Sequence, residues 1–389
     1  MTRTIPETAL PPEPDRVPGA PHPRETPQLF GQAQAEADFL TAYTSGRLHH
    51  GWLLTGPQGV GKATLAWRIA RFLLATPPVA EDGLFGAPPA PDTLDIDPEH
   101  PVARRMAALS EPGLFLVRRG GAGSTENDRA KALAEGRFAA EIRVSEVRKL
   151  NHFFSMSAAD GGRRVVIVDA ADELNTQAAN AILKMLEEPP ARTTLLLVSH
   201  QPARLLPTIR SRCRALRLSP LGAQEMAAAL DQAGMRMDPA EAAALTELSG
   251  GSIGAAIRLG AQNGLALYGD LLGILGSLPD LDRPRLLALS ESCAGKGKED
   301  RLSLCLSLAD TLTARLARTG VMRLPPEVNV ARGEKDVLRR LAPDPAAGRA
   351  WADIAQKASD RARHARAVNV DPASLVTDLL LTLAGAYRG

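Results

Sequence analysis

The chain has 389 residues, a formal net charge of +2 at pH 7, 44% hydrophobic residues and 23% charged residues. This length predicts about two or three domains, and the composition is that of a soluble globular protein. No apolar run reaches the roughly 18 residues of a membrane span, and three widely spaced cysteines indicate neither a disulfide framework nor a cysteine zinc site. We expect a cytoplasmic protein that does not contact a membrane.

Residues 1–27 are rich in proline and polar residues and contain few large apolar ones. Such a segment cannot bury a core of its own, so we predict a disordered tail. Residues 29–43 show apolar positions at helical spacing. Further on, residues 76–98 are dense in Pro, Gly and Asp, which is typical of an insertion or a long surface loop.

The sequence GPQGVGKAT at residues 56–64 matches the phosphate-loop pattern, in which two glycines flank four residues and Lys follows the second glycine. The apolar run at 52–55 predicts a buried strand, and 64–74 has the spacing of a helix. In this setting the glycines let backbone amides face phosphate oxygens, and the lysine reaches the β- and γ-phosphates of ATP. The predicted phosphate contacts are Gly56, Gly59, Gly61 and Lys62.

The next position of this pattern carries Ser or Thr, whose hydroxyl holds Mg²⁺. Here it is Ala63, and Thr64 follows one residue late. One residue along a helix is a rotation of about 100°, so Thr64 should not reach the same coordination point. We keep Thr64 as a candidate nucleotide ligand, and a glycine-rich turn without nucleotide remains the alternative for the whole loop.

A second signal is the β-branched run VVIVD, which ends at Asp169 and predicts a central strand buried on both faces. In nucleotide hydrolases an Asp at this strand end holds the Mg²⁺ and its water. The following residue is Ala170, where an acid would polarise the attacking water. Asp172 and Glu173 come later, and we do not expect them to replace that acid.

Residues 176–187 predict a helix that a pair of prolines ends. Residues 193–200 predict another buried strand, which ends near Ser199, a further candidate nucleotide contact. After a segment at 208–218 that contains Arg212, the composition becomes wholly helical. The alternation of strands and helices predicts a doubly wound parallel sheet followed by helices.

The segments GPQGVGKAT, VVIVDAADELNTQAANAILKMLEEPP and LLLVSHQPARLLPTIRSRC occur in this order over residues 29–260. Together they resemble the clamp-loader subunits of the AAA+ superfamily, and ILKMLEEPP followed by SRC is specific to the bacterial members. The resemblance implies a tail at 1–27, an α/β P-loop AAA+ domain at 28–217, a helical lid at 218–265 and an all-α collar at 266–389.

Within this family the motor subunits, gamma and tau, carry an intact phosphate loop, an Asp-Glu strand end and an Arg in the lid. This chain has Ala63, Ala170 and Gly254 at those positions. Arg212 of the SRC motif is present, and the family uses it as a finger on a neighbour's ATP. The chain is therefore most similar to the delta-prime subunits of DNA polymerase III.

The resemblance implies a stator of the clamp loader within the DNA polymerase III holoenzyme, a nucleotidyltransferase complex. We expect weak ATP binding or none, Mg²⁺ only with nucleotide, and no hydrolysis by the isolated chain. Many family members carry a four-cysteine zinc module after the phosphate loop, but this chain has no cysteine between Leu74 and Val165, so we expect no zinc.

The implied partners are the gamma/tau and delta subunits in a hetero-oligomer, together with the beta sliding clamp and primed DNA. Two other functions stay open at this stage. The chain could be an ATP-hydrolysing motor of the gamma/tau type, in which Lys62, Thr64 and Asp169 suffice for turnover. It could also be a small-molecule P-loop kinase, although that class predicts a substrate-binding lid in place of SRC and a helical bundle.

Overall fold

The computed structural model describes residues 12–76, 90–155, 162–385 and 387. The chain divides into two compact units, Met1–Leu221 and Gly222–Gly389. The second unit holds the predicted collar and all of the predicted lid except residues 218–221, and the division between lid and collar at residue 265 stays a prediction. Most of the predicted insertion at 76–98 lies outside the described residues.

The first unit contains a parallel sheet of five strands. They are β1 (Gly51–Thr55), β2 (Leu114–Val117), β3 (Arg164–Asp169), β4 (Thr193–Ser199) and β5 (Arg214–Arg217). Its helices are α1 (Ala33–Thr44), α2 (Lys62–Ala75), α3 (Pro101–Ala107), α4 (Glu126–Ala134), α5 (Val144–Ser155), α6 (Thr176–Glu187) and α7 (Pro207–Ser211). The strand order is β2-β3-β4-β1-β5. The predicted parallel sheet with flanking helices is confirmed.

Apolar residues on both faces of the central strands explain this sheet. The four residues before Asp169 in β3 and all seven residues of β4 are buried, as expected for parallel strands that helices cover on both sides. Because the strands are parallel, β1, β3 and β4 all finish at one side, which we call the carboxyl edge. The opposite side, at which Gly51 and Arg214 begin their strands, is the amino edge.

Residues 12–27, which we call the N-terminal strap, pack against this unit. His22 is fully buried and lies edge-on to the ring of Trp67, with 5.8 Å between the ring centroids. Arg71 donates to the carbonyl of Arg24, and Arg68 donates to the carbonyl of Pro27. The predicted disordered tail is therefore wrong for residues 12–27, because polar contacts rather than a core hold this segment. Residues 1–11 lie outside the described residues.

The second unit is helical in its described residues. Its helices are α8 (Ala223–Gln232), α9 (Pro239–Ser249), α10 (Ile253–Ala261), α11 (Gly264–Gly276), α12 (Arg283–Ser292), α13 (Glu299–Met322), α14 (Glu334–Leu341), α15 (Pro345–Ala367) and α16 (Pro372–Gly385). Helices α13 and α15 approach closely where Gly320 meets Gly348, since a Cβ on Gly320 would lie 2.6 Å from the Cα of Gly348. Among the described helices, none is both long enough and apolar enough to cross a membrane.

A buried charge network joins four elements of the second unit. The carboxylate of Glu334 in α14 accepts from Arg315 of α13, the hydroxyl of Tyr268 of α11 and the backbone N–H of Val330. Arg315 also pairs with Glu247 of α9 at 2.6 Å. Since every charged group in this network has a partner, it can be buried without the large cost of an isolated charge.

Candidate functional site

The predicted phosphate loop connects β1 to α2 at the carboxyl edge. Gly56, Gly59 and Gly61 all have positive φ angles, of 145°, 78° and 100°, a region that favours glycine. At Gly56 a side chain is also excluded by space, because a Cβ would lie 2.4 Å from the carbonyl oxygen of Leu218. The glycines are therefore needed for this backbone path, which ends at the N-terminus of α2.

Lys62 is the first residue of α2 and is only 3% exposed. Its Nζ donates to the carbonyl of Gly56 at 2.7 Å and to that of Pro57. Burial lowers the pKa of Lys62 to about 8, and the negative charges of Asp169 and Asp172 oppose that shift. Lys62 is thus a buried cation held by the loop's own carbonyls and surrounded by acids.

The strand register brings the other predicted nucleotide contacts to the same edge. Asp169, the last residue of β3, lies beside Val198 of β4, and Ser199 lies beside Thr55 at the end of β1. The Ser199 hydroxyl is buried and has no hydrogen-bond partner among the described residues. Lys62, Asp169 and Ser199 are therefore grouped as the sequence pattern predicts.

Asp169 has a strongly perturbed acidity. Burial raises its pKa to about 7, and repulsion from Asp15, Glu173 and Asp172 adds to the shift, while the cation of Lys62 opposes it. Near neutral pH this carboxyl group is only partly ionised. A partly protonated Asp is a poorer Mg²⁺ ligand than a carboxylate, because metal binding requires the ionised form.

Asp172 and His200 also lie at the carboxyl edge, and the sequence had not indicated a role for either residue. Asp172 lies in the short turn of 3₁₀ helix Ala171–Glu173, and its carboxylate accepts the backbone N–H of His200 at 2.9 Å. Burial, followed by the cation of Lys62, lowers the pKa of His200. Asp172 thereby connects the segment after β3 to the residue that follows Ser199, a contact that no local sequence pattern specifies.

A glutamine before α1 supports the loop from the other side. The side-chain amide of Gln32 donates to the carbonyl of Val60 at 3.2 Å and to that of Ser219 at 2.8 Å. The backbone N–H of Ser219 donates to the Gln32 side-chain oxygen at 3.1 Å. Buried Gln32 thus connects the phosphate loop to the chain that leaves β5, and no motif in the sequence had indicated this role.

Ala63 and Ala170, the two residues predicted to differ from a hydrolytic site, lie at the phosphate loop and at the end of β3. Ala63 is the second residue of α2, and Thr64 is the third. Ala170 follows Asp169 directly and is buried. The structure therefore places neither a hydroxyl at position 63 nor a carboxylate at position 170.

The N-terminal strap brings further charges to the carboxyl edge. Arg118 follows β2 and pairs with Asp15 at 2.6 Å and with Glu13 at 3.1 Å. Arg24 pairs with the same Glu13 at 2.6 Å, and its backbone N–H donates to Nδ1 of His22. The strap is therefore anchored by ion pairs beside Asp169.

Glu13, Asp15 and His22 form the one group in the described ranges whose spacing would suit a metal ion. Arginines already pair with both carboxylates. Because Nδ1 of His22 accepts a hydrogen bond from the backbone N–H of Arg24, the proton of the neutral ring lies on Nε2, which is 3.1 Å from Asp15. These contacts describe an ion-pair network better than a metal site.

Arg212 lies at the amino edge, away from the phosphate loop. It ends α7 two residues before β5, whose Arg214 lies beside Trp52 near the start of β1. The phosphate loop begins after Thr55, at the other end of β1. Arg212 is 39% exposed and pairs with Glu187 at 3.1 Å. It cannot reach the phosphate loop of its own chain without crossing the length of the sheet.

Comparison with known proteins finds a family that resembles the first unit. A family model described as DNA polymerase III, delta subunit, matches residues 31–222. These residues are therefore similar to this DNA polymerase III subunit family. The matched region includes every residue predicted above for the nucleotide site and the finger.

Individual relatives agree with this family. The chain is 39% identical to DNA polymerase III subunit delta' of Pseudomonas aeruginosa over 216 residues, 55% of this chain and 56% of the relative. It is 31% identical to the Escherichia coli subunit delta' over 57% of both chains. A gamma/tau subunit of Mycobacterium tuberculosis is 27% identical over 65% of this chain and 40% of the relative. The chain thus spans little more than half the length of the delta' relatives.

Proposed function

We propose that this chain is a delta-prime-type subunit of the DNA polymerase III clamp loader, a complex of DNA replication. In this role it is a stator, which presents Arg212 to ATP on an adjacent subunit. The position of Arg212 carries the proposal. Its guanidinium is exposed at the amino edge, whereas the phosphate loop of the same chain lies at the carboxyl edge, so any nucleotide that Arg212 contacts belongs to another subunit.

The chemistry of arginine fits this task. A guanidinium is always charged and presents a planar set of N–H donors that matches phosphate oxygens. A finger supplied in trans stabilises the charge that develops on the transferred phosphoryl group, which is worth roughly 10³–10⁵ in rate. Arg212 keeps most of its donors free, since its two described contacts are with Glu187 and the carbonyl of Thr208.

The chain's own site supports weak binding and no hydrolysis. Ala63 and Ala170 lack the hydroxyl and the acid that a hydrolytic site uses. We infer that ATP binds weakly on Gly56, Gly59, Gly61 and Lys62, with Mg²⁺ arriving only as part of the nucleotide complex. No zinc is part of this proposal.

The partners follow from the family. Similarity to delta' and gamma/tau subunits supports a hetero-oligomer in which a gamma/tau subunit supplies the ATP and a delta subunit completes the ring. The beta sliding clamp and primed DNA would then be contacted through the assembled complex, as part of a nucleotidyltransferase holoenzyme.

The experiment is ATP turnover by the reconstituted loader, stimulated by clamp and primed DNA, with wild-type or Arg212→Ala chain. We expect the variant to keep its fold and to slow the ATP site that it faces by about 10³-fold or more. Arg210→Ala is the matched control, because it removes an exposed arginine of helix α7, which ends directly before Arg212, and it should leave turnover unchanged.

The alternative is a motor subunit of the gamma/tau type, and the isolated chain distinguishes the two. A stator turns over no ATP alone. Robust turnover by the isolated chain that Lys62→Ala abolishes would establish the motor and reject the stator. Unchanged turnover in the Arg212→Ala complex would reject the finger.

A further inference from the structure

Helix α6 ends directly against the finger. Glu187 is its last residue, and Pro189 and Pro190 follow it. The backbone here is held in place, because Nε2 of His50 lies 3.0 Å from the carbonyl oxygen of Leu186. The acid of the LEEPP segment, which the proposed function leaves unexplained, therefore has a defined position at the amino edge.

The first residue of β1, Gly51, contacts both the end of α6 and the backbone of Arg212. A Cβ on Gly51 would lie 2.7 Å from the Leu186 side chain and 3.1 Å from the carbonyl oxygen of Arg212. The end of α6 and the end of α7 thus meet over the start of β1. This packing fixes the distance between the backbones of Glu187 and Arg212.

The side chains complete the contact. Nη2 of Arg212 lies 3.1 Å from Oε1 of Glu187, and Nη1 donates to the carbonyl of Thr208 at 3.2 Å. Both partners of the ion pair are exposed, at 39% and 43%. Exposed pairs of this kind contribute little to stability, so the main effect of Glu187 is on the orientation of the guanidinium.

We propose that Glu187 is a positioning residue that orients Arg212 toward the ATP of the neighbouring subunit. This inference rests on the proposed function. A free arginine loses much rotamer freedom when it is immobilised. Because Glu187 and Thr208 each hold one terminal nitrogen, part of that freedom is lost before the neighbour docks. The remaining N–H groups stay available for phosphate oxygens.

The test uses the reconstituted loader with Glu187→Gln, Glu188→Gln, Arg212→Ala and the double variant Glu187→Gln/Arg212→Ala. Glu188 is the matched control, since it is an exposed acid one residue further on. We expect Glu187→Gln to lower kcat about fivefold, as partial loss of rotamer restraint predicts. The KM for ATP should not change, because a finger acts on the transition state.

Two further readouts separate positioning from a general structural role. The melting temperature of Glu187→Gln should equal that of Glu188→Gln, whose kcat should match wild type. In the double variant Glu187→Gln should cause no loss beyond that of Arg212→Ala, because Glu187 acts only through the finger.

The outcomes distinguish this inference from the proposed function. If Arg212→Ala leaves turnover unchanged, the finger is rejected and the role of Glu187 with it. If Arg212→Ala lowers turnover but Glu187→Gln behaves like Glu188→Gln, the positioning role is overturned and the finger stands. An increase in kcat for Glu187→Gln would also overturn the positioning role, since Glu187 would then hold Arg212 in an orientation that slows turnover.

Discussion

The two edges of one sheet carry opposite arrangements of charge. At the carboxyl edge Lys62 is 3% exposed and donates to its own loop, and Asp169 is surrounded by other acids. At the amino edge Arg212 is 39% exposed and has one carboxylate partner. The first arrangement is closed on itself, whereas the Arg212 side chain is accessible to solvent.

Residues at one edge of the sheet can therefore change without altering the charged groups at the opposite edge. The strands between the edges are four to seven residues long, roughly 13–23 Å. Ala63 and Ala170 remove groups from the carboxyl edge and touch nothing near Arg212. We therefore expect changes at the carboxyl edge to alter stability and nucleotide binding while Arg212-dependent turnover of the complex stays intact.

The largest effect should come from Gly56→Ala. The added Cβ would meet the carbonyl oxygen of Leu218 at 2.4 Å, at a φ of 145°, so the loop or the chain after β5 must move. We expect the free energy of unfolding to fall by about 4 kcal/mol, as measured by urea denaturation.

Gly46→Ala is the control for this substitution. Gly46 also has a positive φ, of 69°, but a Cβ there meets nothing within 4 Å, so backbone strain alone should cost about 1–2 kcal/mol. Equal losses for the two variants would show that the contact with Leu218 is not rigid. Below its melting temperature, Gly56→Ala should still support Arg212-dependent turnover in the complex. Loss of that turnover would show that the carboxyl edge and the amino edge are coupled.

The sequence was sufficient for the parts of the fold that local patterns determine. Helix α6 has the predicted bounds, 176–187, because a polar N-cap and a pair of prolines mark its ends. The grouping of Lys62, Asp169 and Ser199 was also predictable, since parallel strands bring their ends to one edge.

The parts that were missed depend on contacts between distant segments. The strap at 12–27 has the composition of a disordered segment, and its stability comes from Arg68, Arg71 and Arg118, which no local pattern connects to it. Similarly, the contact from Asp172 to the backbone of His200 depends on a short turn of 3₁₀ helix, whose geometry the DAAD letters do not specify.

A smaller effect, dependent on pH, is expected for Asp169→Asn. The pKa of Asp169 is raised from 3.8 to about 7 in the folded protein, so the folded state binds more protons than the unfolded state between these values. Wild-type stability therefore falls as pH rises from about 4 to 7. The asparagine variant lacks this penalty and should be more stable than wild type by up to about 3 kcal/mol at pH 8.

Thermal unfolding at pH 5 and pH 8 measures this difference. At pH 5 the advantage of Asp169→Asn should shrink to about half or less, because pH 5 covers only part of the interval between the unfolded pKa of 3.8 and the folded pKa of about 7. Glu188→Gln removes an exposed acid at the amino edge and, as a surface substitution, should change stability by less than about 0.5 kcal/mol. A constant advantage at both pH values would mean that Asp169 is ionised throughout this range in the folded protein.

The smallest of the three effects is expected for His22→Ala in the strap. The ring is fully buried, lies against Trp67 and accepts the backbone N–H of Arg24, so its removal leaves Asp15 with Arg118 as its remaining described partner. We expect a loss of about 2 kcal/mol and faster trypsin cleavage after Arg16 and Arg24.

An exposed histidine provides the matched comparison for the strap. His364→Ala deletes the same side chain from an exposed position on α15, and it should change stability by less than about 0.5 kcal/mol. If His22→Ala behaves like His364→Ala in both unfolding and proteolysis, the contacts of His22 do not stabilise the strap at the carboxyl edge. If His22→Ala loosens the strap while Arg212-dependent turnover stays at the wild-type rate, the stability of the carboxyl edge is not coupled to the activity of the amino edge.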